Sequence, residues 1–143
     1  LAHERGLASV LVSNGMVNPG PLAELAGLID AANIDLKGFT QEFYDQVGGD
    51  LAAVKRTIAT LAADPGCHLE VTTLIVPGMN DDAAQVDAMA AWLASLDPGI
   101  TYHVTRFFPC HRMADAAPTP VADVRALAAV ARRHLRHVVV GNC

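Results

Sequence analysis

Apolar and polar residues alternate in short runs along this chain, and longer stretches of helical spacing separate the runs. Residues 8–13 (ASVLVS), 33–37 (NIDLK), 68–76 (HLEVTTLIV), 102–108 (YHVTRFF) and 138–140 (VVV) are predicted strands. Apolar residues at 22, 25, 26, 28 and 29 predict a helix after Pro21. A short helix is expected after Thr40, broken at Gly48-Gly49. Asp50 is the expected N-cap of a helix whose inward stripe is Leu51, Val54, Ile58 and Leu61, with Pro65-Gly66 as its stop. Asn80 or Asp81 is the expected cap of a helix with Val86, Met89, Leu93 and Leu96 inward. Thr119-Pro120 reads as a cap followed by proline at the first helical position, opening a helix that runs to about His134. Strands separated by helices of this length pair in parallel through right-handed crossovers, so the fold class is α/β. An open doubly wound sheet and part of a (β/α) barrel both fit, and both gather chemistry at the carboxyl ends of their strands.

The second strand has two unlike faces. Ile34 and Leu36 point one way, while Asp35 and Lys37 place a carboxylate and an ammonium together on the other. Ser13-Asn14-Gly15 ends the first strand, Thr72, Thr73 and Val76-Pro77-Gly78 close the third, and Arg106, Phe107, Phe108 and His111 close the fourth. Glu70, Thr72, His103 and Thr105 share one side of their strands. A packed barrel interior carries branched apolar residues, so this pattern points to a cavity wall for a polar ligand. Plain structural roles stand beside these readings. Asn14-Gly15 serves as a tight turn, Asp35 and Lys37 as an ion pair stapling neighbouring strands, Glu70 as the partner of a buried cation, and His68 and His103 as structural histidines.

The totals narrow the partners. The chain has 143 residues, 52% hydrophobic and 17% charged, which suits one well-buried domain over 1–143. A formal charge of −5 argues against nucleic acid. Arg132, Arg133, His134 and Arg136 cluster at a helix end, where cations complement the dipole. No apolar run reaches the roughly 18 residues of a membrane span, and no export signal is read. Cys67, Cys110 and Cys143 are odd in number and far apart, so a reducing, cytoplasmic setting is expected instead of a disulfide framework.

In order, "VSNG", "DLKGF", "EVTTLIVPGMND" and "TRFFPCHRM" resemble the radical S-adenosylmethionine (SAM) enzymes, in the branch related to pyruvate formate-lyase activating enzyme. More narrowly, they resemble the radical SAM member of the AmmeMemoRadiSam system, over nearly the whole chain from Ser9 to Asn142. The resemblance implies a partial (β/α) barrel, reductive cleavage of SAM to a 5′-deoxyadenosyl radical, and a 4Fe–4S cluster held by three cysteines. It further implies that Lys37 pairs with the methionine carboxylate, that Asp35 accepts from both ribose hydroxyls, that Ser13 adds a ribose contact, and that His111 touches ribose or adenine. Asn14, Thr73 and Val76 fall in the matching motifs as further cofactor contacts, and Arg106 and Phe108 as substrate contacts in or beside the 109–115 loop. The substrate is not named by the sequence and includes proteins among its candidates.

Departures from the family pattern set further expectations. The C-x-x-x-C-x-x-C loop and the Gly-Gly-Glu motif are not in this sequence, and Val12 stands where activating enzymes carry an acid. The chain is therefore expected to be the last four β/α units of such a barrel, beginning at Leu1 in the tail of a helix (LAHERG). It is expected to be inactive alone, with no catalytic or metal-ligating residue of its own, and to self-associate through an exposed first strand. Two other classes compete: a Schiff-base lyase of the class I aldolase kind using Lys37, and a non-catalytic barrel fragment.

Overall fold

The computed structural model describes residues 2–143; Leu1 lies outside the described residues, and the rest of the predicted helical tail is a single 3-10 turn, His3–Arg5. Five parallel strands follow, β1 (Val10–Ser13), β2 (Ala31–Asp35), β3 (His68–Ile75), β4 (Thr101–Arg106) and β5 (His137–Gly141), in the order β1-β2-β3-β4-β5. The helices between them are α1 (Pro19–Leu25), α2 (Gln41–Val47), α3 (Leu51–Ala62), α4 (Ala83–Leu96) and α5 (Val121–Ala131).

This strand order decides between the two architectures. Each right-handed crossover steps to the next strand in the same direction, so every helix lands on the same face of the sheet. A doubly wound sheet needs a reversal of strand order, and there is none here. The sheet is an open wall of barrel type, backed by helices on one side only. Burial follows: Ile34, Val71, Ile75, Tyr102 and Val104 are fully covered, while their neighbours in sequence face outward and are at most partly covered. The helices meet that covered face with residues three and four apart, Val54, Ile58 and Leu61 from α3, Val86, Met89 and Leu93 from α4, and Val124, Leu127 and Ala128 from α5. Each such Val, Leu, Ile or Met side chain contributes about 1.5–3 kcal/mol by leaving water, and Ala128 less.

The local expectations hold in most places. Thr40 caps α2 by accepting from Phe43 N–H, Gly48 ends it with a left-handed φ of 71°, and Asp50 caps α3 through Ala52 and Ala53 N–H. Strand β2 begins at Ala31, earlier than its alternation suggested, because small Ala31 and Ala32 conceal the pattern.

Four polar residues are buried among those described: Thr57, Thr73, Asn80 and Thr119. All four reach backbone carbonyls at the carboxyl rim of the sheet. Thr57 Oγ1 donates to Gly15 O (2.7 Å), Thr73 Oγ1 to Leu36 O (2.6 Å), and Thr119 Oγ1 to Ile75 O. Asn80 Nδ2 donates to Lys37 O (2.7 Å) and Leu74 O (2.8 Å), while its Oδ1 accepts from Val76 N–H (2.7 Å). Two sequence expectations are corrected here. Neither Asn80 nor Asp81 caps α4; Asp82 does, through Ala84 and Gln85 N–H, while Asp81 accepts from Gly78 N–H. Thr119 does not cap α5, which starts from Pro120 with no side-chain cap. The rim carbonyls claim both side chains because an unmet buried carbonyl costs about 1–3 kcal/mol.

Gly15 tests how tightly this rim closes. Its φ is +74°, and an added Cβ would sit 2.9 Å from Ile34 Cγ2 and 3.2 Å from Val54 Cγ1. Gly15→Ala should therefore lower stability by about 1–3 kcal/mol in urea denaturation. Gly20→Ala, in α1 with nothing within 4 Å, should shift it by no more than about 0.5 kcal/mol, toward stability.

Candidate functional site

Lys37 is the centre of the rim. Its backbone is clamped from both sides: its N–H donates to Tyr44 Oη (3.1 Å), and its carbonyl accepts from Asn80. Tyr44 is buried, and that burial raises its phenol pKa despite the opposing Lys37 hydrogen bond. The Lys37 side chain returns to Asp35, with Nζ donating to Oδ2 at 2.7 Å. The pair lies along one strand end and does not staple neighbouring strands. Its side chains are 41% and 36% exposed, so it adds only about 0–1 kcal/mol to stability. Both charges stand at the surface within reach of a ligand.

Two hollows flank Lys37. Asn14, Met16 and Tyr44 line one with it. Leu74, Val76, Asn80 and Met113 line the other, a cavity of about 180 Å³. Met113 belongs to the 3-10 turn His111–Met113, so the loop after β4 folds over the ends of β2 and β3. His111 in this turn is exposed and holds a left-handed φ of 48°, a strained geometry for a residue other than glycine.

The other anticipated residues take distinct places. Ser13 Oγ accepts from Gly15 N–H (3.1 Å) and Asn14 Oδ1 from Met16 N–H (3.0 Å), so both close the turn after β1. Thr73 is sealed beneath the rim, accepting from Tyr102 Oη (2.8 Å). Arg106 Nε donates to Thr119 O (2.6 Å), and its guanidinium lies 4.5 Å from the centre of the half-exposed Phe108 ring. The structure thus gathers Asn14, Lys37, Val76 and the His111 turn around one rim, while Arg106 and Phe108 meet each other beside it. Arg133 and His134 both engage Asp87 of α4, holding that carboxyl below its usual range.

The face without helices carries a polar band. Across it, Asp35, Thr72 and His103 are register neighbours, one row above Asn33, Glu70 and Thr101. Glu70 pairs with histidines and not with the anticipated Lys or Arg: His103 Nε2 lies 2.8 Å from Oε2 and His68 Nε2 lies 3.3 Å from Oε1. Burial pushes the Glu70 pKa up, but the bonds from His103 and His68 outweigh it, and the carboxyl sits below its ordinary value.

No family model matches the chain. An uncharacterized protein of Methanocaldococcus jannaschii, MJ0808, is 33% identical over 145 aligned residues, covering 99% of this chain and 42% of that protein. The benzylsuccinate synthase activating enzyme of Thauera aromatica is 29% identical over 93 residues, covering 64% of this chain and 28% of the enzyme. The chain therefore spans less than half the length of these two relatives. A domain of pyruvate-formate lyase-activating enzyme from Bacteroides vulgatus superposes with a TM-score of 0.80 at 14% identity, over 98% of this chain and 84% of that one. The fold is that of a partial radical SAM barrel. A structure of TYW1 with a lysine-pyruvate adduct bound superposes with a TM-score of 0.60 at 16% identity, over 93% of this chain and 43% of that one. Among the described residues, no helix is long and apolar enough to cross a membrane.

Tyr44 and Asn80 are the site residues that sequence reading missed. Tyr44 carried a helical, core-like signal, and Asn80 looked like a cap. Tyr44→Phe should leave Lys37 N–H unpaired, cost about 1–2 kcal/mol, and broaden the Lys37 amide resonance. Glu70 gives a pH signature. A carboxyl held below its ordinary 4.5 stabilises the fold above that value and loses the contribution as pH falls through the folded-state value. Urea midpoints of the wild type should therefore fall more steeply below about pH 5 than those of Glu70→Gln.

Proposed function

We propose that the Lys37 rim binds the nucleoside cofactor SAM, and that this chain is the nucleoside-binding part of a radical SAM enzyme. The branch is the glycyl-radical-activating-enzyme-like one, with the AmmeMemoRadiSam member as the narrower reading. The observation that carries this is the exposed Asp35–Lys37 pair, fixed at the rim by Tyr44 and Asn80, with a hollow on either side. It fits the demands of a zwitterion with a ribose. Lys37 Nζ can leave Asp35 for a carboxylate, and the released Asp35 oxygens can accept from two vicinal hydroxyls. The turn carrying His111 stands over the larger hollow, where its imidazole can close on ribose or adenine. Asn14 and Val76 would supply the walls and Ser13 a further contact; Thr73 would act from below by setting the Leu36 carbonyl.

Bound SAM would supply hydrogen-atom abstraction; the residues of this chain bind, orient and shield it. The cluster does not fit these residues. Cys67 precedes β3, while Cys110 and Cys143 follow β4 and β5 at the opposite end of the sheet, so the three thiols do not converge. We place the cluster ligands, and with them the activity of the whole enzyme, outside this chain. Arg106 and Phe108 are proposed to meet the substrate.

A second reading draws on the TYW1 neighbour, whose bound lysine-pyruvate adduct parallels a Schiff base at Lys37. Here Lys37 Nζ is tied to Asp35 and must leave that bond to attack a carbonyl. Borohydride with pyruvate separates the two: the nucleoside reading expects no adduct at Lys37, and a trapped one would favour the lyase.

Calorimetric titration with S-adenosylhomocysteine should show binding that weakens at least about tenfold in Asp35→Ala and in Lys37→Ala, the loss of one charge-assisted contact each. A folded protein that takes up none of the nucleoside would end this reading.

A further inference from the structure

The polar band on the open face has more organisation than a solvated surface requires. Glu70 is fixed by side chains from three adjacent strands. His103 of β4 meets Oε2, His68 of β3 meets Oε1, and Asn33 Nδ2 of β2 reaches Oε2 at 3.5 Å. Asn33 is itself oriented by Thr72, whose Oγ1 donates to Asn33 Oδ1 at 2.8 Å. A carboxylate only accepts, so in the neutral imidazole His103 Nε2 carries the proton toward Glu70 and Nδ1 is left as an acceptor. Nδ1 has no partner among the described residues, and the His103 side chain is 23% exposed. A carboxylate that fixes the tautomer of an imidazole and leaves its other nitrogen open is an arrangement for receiving a donor. Beside it the band turns apolar, with Val139, its register neighbour on β5, 43% exposed and Leu74 of β3 40% exposed.

We infer that the Glu70–His103 pair is a second binding site, for a small polar molecule that presents an O–H or N–H group to His103 Nδ1. His103 makes the contact, and Glu70 is the positioning residue. The apolar neighbours Leu74 and Val139 select a molecule with carbon flanking its donor, such as an alcohol or an amine. The site also lies within one small molecule of the rim. Asp35 and His103 flank Thr72 in register, two strand spacings apart, or about 10 Å between backbones. A molecule anchored on His103 therefore holds its adjacent C–H groups toward whatever occupies the Lys37 rim. The inference rests on the proposed nucleoside reading only in taking this face as the one from which a reaction partner approaches.

The test is NMR of the imidazole side chains in mildly alkaline buffer, with 1,2-propanediol and ethanolamine as donor probes and acetate as the acceptor-only control. The apo spectrum should show His103 as the Nε2–H tautomer. Both donor probes should shift His103 saturably and acetate should not. In Glu70→Gln the tautomer should become mixed and the probes should bind about tenfold more weakly, with the fold retained. A wild-type His103 that is insensitive to both donors, while S-adenosylhomocysteine still binds at the rim, would overturn this inference and leave the nucleoside reading standing. A probe response without nucleoside binding would do the reverse.

Discussion

A parallel sheet ends in a row of backbone carbonyls with no further strand to receive them, and this fold depends on how those carbonyls are met. Thr57, Thr73, Asn80 and Thr119 each send a donor to that row, from α3, β3, the β3–α4 loop and the β4–α5 loop. They are the polar residues that the described chain buries. Each would impose a desolvation cost if unpaired, so loops of otherwise free composition are drawn down onto strand ends. Lys37 is held where it is because Asn80 answers its carbonyl and Tyr44 its N–H. The geometry of the rim thus originates in backbone chemistry.

The second constraint is topological. Sequential strand order with one hand of crossover leaves one face of the sheet without helices. On a strand, alternate side chains must then serve different media. Glu70, Thr72, His103 and Thr105 alternate with Val71, Thr73, Val104 and Tyr102 in sequence, and the two sets never share an environment. Edge strand β1 lacks this polar character: Val10 and Val12 are 67% and 75% exposed. The polar band is therefore centred on β2, β3 and β4, where neighbouring strands on both sides can orient its members.

The sequence disclosed the elements well because its periodicities are strong where burial is complete. Ile34 and Leu36 against Asp35 and Lys37 predicted both the faces of β2 and the meeting of the two charges. The α3 stripe was legible for the same reason. Two things were not legible. A single sequence does not say in which order parallel strands lie, so a doubly wound sheet and a barrel wall looked alike until β1 to β5 were seen in succession. Nor does it distinguish an asparagine or threonine that caps a helix from one that answers a distant carbonyl. Asn80 and Thr119 have the composition of caps, and only the proximity of Lys37, Leu74 and Ile75 redirects them. The partner of His103, Glu70, cannot be assigned from spacing across 33 residues, whereas His68 stands two residues from Glu70 on the same face of β3.

The division of labour at Lys37 carries a consequence for descent. Tyr44 and Asn80 grip its main chain, an attachment blind to the side chain beyond it. Mutation at this locus can rewrite chemical recognition while the scaffold persists, so lineages sharing the same architecture are free to diverge in what they handle.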